Sequence, residues 1–135
     1  MSNSSKAKGT AWESAVVAYL REHHNPTAHR NVQMGRLDIG DIAGYYLHAL
    51  EAKAEKEITL STYIAQANKE AGHAGQPFGC AVVKRRMKGA ADGYVVRDLC
   101  TDVRLMNRLR DMEEALQAVA PAAYALIDKQ HREAA

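Results

Sequence analysis

Three residue types inside one short stretch are able to do chemistry together. From Gly40 to Lys56 the chain reads GDIAGYYLHALEAKAEK. Glu51 and Lys53 stand two apart at the end of an apolar run. On a strand, such residues leave the same face, roughly 7 Å apart along the chain, while Ala52 turns to the other face. Asp41 precedes Glu51 by ten residues, and a tight hairpin would bring it alongside. Two carboxylates at neighbouring strand positions suit Mg²⁺, with Mn²⁺ as a substitute and water in the remaining places. Such a metal polarises a phosphoryl oxygen and helps generate a hydroxide. Lys53 would then orient that water or stabilise charge growing in the transition state. Taken singly, these residues say little. Glu-x-Lys is a common triplet, Lys53 fits a strand end reaching into water, and Asp41 fits a turn.

The elements that must position them follow from hydrophobic period and punctuation. Thr10-Ala11-Trp12-Glu13 has the form of a capping box, which predicts a helix from about Ala11 to His23 with Trp12, Val16, Tyr19 and Leu20 on its apolar face. Asn25-Pro26 ends it. Strands are predicted over Arg30–Met34, Leu37–Ala43 and Tyr45–Ala54, with turns or bulges at Gly35, Gly40 and Gly44. Thr59 to Gly72 is a second helix, with Leu60, Tyr63, Ile64, Ala67 and Ala71 at helical spacing. Phe78 to Lys84 reads as a strand covered on both faces. Helix followed by strand predicts a crossover to a parallel neighbour, and Tyr94-Val95-Val96 makes a last strand. In the tail, Leu105, Leu109, Met112, Leu116 and Val119 recur at steps of four, three, four and three, a coiled-coil-like seam. Pro121 breaks it before a final helix. The fold class is therefore α/β: a three-stranded meander and a helical crossover in a small mixed sheet flanked by helices, with a C-terminal helical extension.

The bulk properties narrow the class. A chain of 135 residues fits a single domain. Residues 1–8 read as a flexible arm, 9–99 as the core and 100–132 as C-terminal helices. No apolar run approaches the roughly 18 residues that span a bilayer, and the start MSNSSKAKGT lacks a signal-peptide core, which predicts a cytoplasmic protein. Two cysteines form neither a zinc site nor a disulfide framework, and the histidines show no zinc spacing. The net charge of +2 does not announce a nucleic-acid binder. Its distribution is more telling. Positive charge gathers at Lys6 and Lys8, at Arg30 and Arg36, and at Lys84-Arg85-Arg86 followed by Lys88. Such clusters follow a phosphate backbone even when the total is small; otherwise they are solvated loops.

GDIAG followed by LEAK resembles the Asp…Glu-x-Lys signature of the PD-(D/E)XK nuclease superfamily. The resemblance runs from about Lys8 to Leu99, and is closest to the small archaeal-type Holliday junction resolvases and their bacteriophage relatives. These open on a short helix bearing a Glu, here in KGTAWESAVVAYL. The resemblance implies a restriction-endonuclease-like α-β-β-β-α-β core. It implies a Mg²⁺-dependent endonuclease of DNA recombination, cutting four-way junctions symmetrically as a homodimer in a bacterial or phage-infected cell. Carried over by position, Asp41 and Glu51 are metal ligands and Lys53 is the catalytic lysine. Glu13 is the helix carboxylate that supports the metal or its water, though it also suits the capping box. Gln66 matches a position from which relatives reach over the site. Arg30 and Arg36 resemble basic residues near the scissile strand, and Lys84, Arg85 and Arg86 would meet phosphates. Gly40 stands where the superfamily's name has Pro. Asp38 competes with Asp41, since residues three apart on a regular strand face opposite sides unless Gly40 forms a bulge. The rival readings are a relative acting on flaps, ends or duplex DNA, a non-catalytic DNA-binding protein on this scaffold, and an unrelated α/β domain with a fortuitous Glu-Ala-Lys.

Overall fold

The computed structural model describes residues 2–33 and 35–134. They form two compact units, one ending at Asp98 and the other beginning at Leu99. The elements of the first are α1 (Asn3–His23), β1 (His29–Arg30), β2 (Ile42–Ala43), β3 (His48–Lys53), α2 (Leu60–Ala74), β4 (Phe78–Val83) and β5 (Tyr94–Val96). Those of the second are α3 (Leu99–Val119) and α4 (Pro121–Glu133). Short 3₁₀ turns lie at Gly35–Leu37 and Ala90–Asp92. Among the described residues, no helix is long and apolar enough to cross a membrane.

The described strands make one small mixed sheet in the order β1-β2-β3-β4-β5. The first three run antiparallel in sequence, β3 and β4 are parallel, and β5 returns antiparallel to β4. Parallel neighbours need a long connection, and α2 supplies it. The chain is thus α/β, as the periodicity predicts.

Alternation along the central strands divides the core. Leu50, Cys80 and Val82 face one way, against Trp12, Val16, Val17 and Leu20 of α1 and Ile42 of β2. Ala81 and Val83 face the other way, against Tyr63 of α2. Every residue of β4 is buried, which explains its continuous apolar run. The indole of Trp12 also donates to the Val82 carbonyl at 3.0 Å, so its one polar group is satisfied where it is buried. On the opposite face α2 lies close to the sheet. A Cβ on Gly79 would stand 2.4 Å from the Ala67 carbonyl oxygen, so this position admits no side chain.

Four elements depart clearly from the sequence expectation. Helix α1 begins at Asn3, with Ser2 as N-cap accepting from Ser5 N–H at 3.3 Å. Thr10 is therefore mid-helix, its capping-box pattern is incidental, and residues 3–8 are helical where an arm is expected. The strand predicted over Arg30–Met34 shrinks to His29–Arg30, with Met34 outside the described residues. The one over Leu37–Ala43 shrinks to Ile42–Ala43. Gly40, at φ +96°, takes the left-handed conformation that interrupts an extended run, and its missing Cβ leaves room for the Leu50 backbone. Strand β3 starts three residues late because Tyr45–Leu47 form a turn, closed by His48 N–H to the Tyr45 carbonyl at 3.0 Å.

In the second unit α3 and α4 pack against each other. Pro121 opens α4 at its first turn, where a missing N–H costs nothing.

Candidate active site

Strand β3 carries Glu51 and Lys53 on the face that α2 covers, opposite Leu50 and Ala52 on the α1 side. In the parallel register they pair with Ala81 and Val83. Glu51 is only 3% exposed. Its Oε1 accepts from Lys53 Nζ at 2.9 Å and from Gln66 Nε2 at 2.9 Å. Its Oε2 is buried and accepts from no donor, and the Glu70 carboxyl lies near enough to share a proton with Glu51. Burial pushes the Glu51 carboxyl above its usual range, and Glu70 adds to the effect while Lys53 opposes it.

Asp41 sits at the start of β2 and is fixed through its backbone. Its N–H donates to the Leu50 carbonyl at 3.0 Å and its carbonyl accepts from Asn31 at 2.8 Å. The side chain reaches across to β3, where Oδ2 accepts the Ala52 N–H at 2.8 Å. Burial first, and then the charge of Glu51, pushes its carboxyl up to about 7; the Ala52 hydrogen bond works the other way and Glu13 adds a smaller upward push. Asp41 is thus the acid bound to β3. Asp38 contributes a backbone carbonyl instead, which lies 2.9 Å from His73 Nδ1.

Lys53 is half-buried. Its ammonium donates to Gln66 Oε1 at 3.0 Å as well as to Glu51, and stands 5.4 Å from the Tyr63 ring centre. Burial alone would favour loss of its proton, but the hydrogen bond and charge of Glu51, with Asp41 and Glu55, outweigh that and raise its pKa. The amine stays charged at neutral pH, fit to stabilise negative charge and to hold an anion or water in place.

Gln66 is the hub. Its oxygen takes the lysine, while its nitrogen donates to Glu51 and, at 2.9 Å, to Glu70 Oε1. Glu70 is 3% exposed and its Oε2 is a second buried oxygen that accepts from no donor. It was absent from the residues predicted above. The signal was present: Tyr63, Gln66, Ala67 and Glu70 lie on one helical stripe at steps of three, one and three. A glutamate in an apolar stripe needs a polar partner.

The other predicted residues lie around this centre. Glu13 bonds to Arg30 at 2.7 Å and is near enough to Asp41 to act on its proton. Arg30 is thereby engaged within the protein. Arg36 is exposed in the first 3₁₀ turn. Lys84 N–H donates to the Lys53 carbonyl at 2.8 Å, so the basic run starts beside the C-terminal end of β3. Lys84 and Arg85 each lie 6.0 Å from an aromatic ring, Trp12 and Tyr94 respectively, and Arg86 is exposed beside them.

Among the described residues no group of three or more His, Cys, Asp or Glu side chains is arranged to hold a metal ion. Asp41 and Glu51 are a pair, and a pair with water suits Mg²⁺, which usually keeps most of its hydration. The Glu51 Oε2 that accepts from no donor, and two acids pushed up by burial and by negative neighbours, are what a nearby divalent cation would relieve. Asp41 and Glu51 are the residues that could hold such an ion.

Compared with models of known families, with curated proteins and with solved structures, the chain finds no match in any of the three.

Proposed function

We propose that the protein is a metal-dependent endonuclease of the PD-(D/E)XK type, acting on branched DNA as a Holliday junction resolvase. One observation carries the reading: Asp41, bound to the Ala52 N–H, and Glu51, with a buried oxygen that accepts from no donor, meet at the strand end that bears the Lys53 ammonium. The α-β-β-β-α-β order supports a restriction-endonuclease-like core.

Asp41 and Glu51 would hold Mg²⁺, with Glu13 behind Asp41. When bound, the ion supplies Lewis-acid polarisation of a phosphoryl oxygen and a more acidic water. The protein's own groups do the rest. Gln66 holds the lysine ammonium against Glu51, so Lys53 meets the phosphate in one orientation and stabilises the charge that develops there. Lys84, Arg85 and Arg86 extend positive charge from the strand end along a phosphate backbone. Contacts of this kind read position and shape, with no base readout. Symmetric cutting of a four-way junction calls for two such sites, hence a homodimer.

The deciding experiment compares nicking of a synthetic four-way junction with a matched linear duplex, with Mg²⁺ and with EDTA. Paired, symmetric, Mg²⁺-dependent nicks in the junction are expected. Equal cutting of both substrates would shift the reading to a nuclease of flaps, ends or duplex, and no cutting of either, with DNA still bound, to a non-catalytic binder.

A further inference from the structure

Helix α3 carries an apolar seam that its own unit does not bury. Leu109 is 50% exposed, Met112 59% and Val119 82%, and Leu105 and Leu116 are half-buried. Among the described residues, Thr101 is the one buried position of α3, and α4 has none. A seam at coiled-coil spacing with no buried apolar side chain calls for a covering surface.

We propose that the cover is α3 of a second copy of this chain, packed antiparallel. The charge along the helix argues for it. Arg104, Arg108 and Arg110 outweigh the single acid of its first half, Asp102, and Asp111, Glu113 and Glu114 follow, with no Lys or Arg from Asp111 to Val119. Parallel pairing would set arginines beside arginines and acids beside acids. Antiparallel pairing about an axis between Arg110 and Asp111 lays each basic half along an acidic half. The same axis matches the four central seam residues: Leu105 meets the partner subunit's Leu116, and Leu109 meets the partner subunit's Met112. It also opposes the two helix macrodipoles. The contact is self-complementary, so it closes as a dimer without propagating.

The inference gives an interface to the dimer that the proposed function calls for, and its test needs neither DNA nor metal, so it is read separately from cleavage. Sedimentation of the full chain at micromolar concentrations should give a dimer, and Leu109→Asp with Met112→Asp a monomer of unchanged far-UV circular dichroism. A wild-type monomer throughout, or a dimeric double variant, overturns the proposal. If that variant does not fold, the surface change Arg108→Glu with Arg110→Glu should still weaken the dimer at least about tenfold; unchanged association overturns it. Orientation is read by cross-linking in a Cys100→Ser background. Leu105→Cys mixed with Leu116→Cys should oxidise to a mixed disulfide dimer, neither linking to itself. Self-linking of Leu105→Cys alone would mean a parallel pair and overturn the arrangement.

Discussion

Lys53, Gln66 and Glu51 form a closed set of hydrogen bonds in which each group limits the others. Lys53→Ala removes the amine and should lower cleavage by about a hundredfold or more. Junction affinity, read by gel shift in Ca²⁺, should hardly change. Cleavage at the wild-type rate would refute the mechanism. Glu70 tests the outer ring: it holds the Gln66 nitrogen, and so turns the Gln66 oxygen to the lysine. Glu70→Ala should leave Gln66 free to rotate, lowering kcat with little change in KM, and Glu70→Gln should restore part of the rate. Asp41 gives a pH signature. Its carboxyl stands at about 7 in the fold against an ordinary 3.8. Between those values the folded chain keeps a proton that the unfolded chain has released. Stability is therefore greatest below the lower value and falls as pH rises through the upper one. In EDTA the wild-type Tm should be lower at pH 8 than at pH 5, and Asp41→Asn should narrow that gap. Glu51, shifted in the same direction, keeps it from closing.

At the scale of elements, the sheet is held between α1, which brings Trp12, and α2, which brings bare backbone to Gly79. Trp12→Ala empties a buried site and strands the Val82 carbonyl, a cost of about 3–5 kcal/mol. Gly79→Ala has no empty space to use, because the obstructing atom is a backbone oxygen at 2.4 Å, and should cost about 1–3 kcal/mol through displacement of α2. Urea unfolding monitored by circular dichroism measures both. The buried elements were the legible ones. Phe78–Val83 and Leu60–Ala74 carry long periodic or continuous apolar signals, and the parallel crossover follows from their order. The limits of β1 and β2 are not legible, because two residues have no period to read and the limits depend on how Gly40 turns. The start of α1 is masked because a mid-helix Thr-x-x-Glu looks like a cap, whereas the actual cap is one of several serines with no apolar run behind it. Within the site, strand alternation is enough to place Glu51 and Lys53 on one face, whereas Gln66 is reached only through the family resemblance. Nothing local announces that Glu13 pairs with Arg30, a contact seventeen residues apart in the chain.

Across the whole molecule, the small net charge of +2 conceals a local field at the end of β4. If Arg85 and Arg86 contact phosphates, replacing both with Ala should weaken junction binding about equally on all sequences and reduce the slope of log affinity against log salt by about 2. An unchanged slope would remove that loop from the DNA surface. The two cysteines have very different surroundings. Cys80 is sealed at 0% exposure, with its thiol pushed up to about 12 by burial, while Cys100 is exposed. A maleimide at neutral pH should therefore attach once per native chain and a second time only after global opening, so that counting adducts by mass over time gives a direct clock of how often the core comes apart.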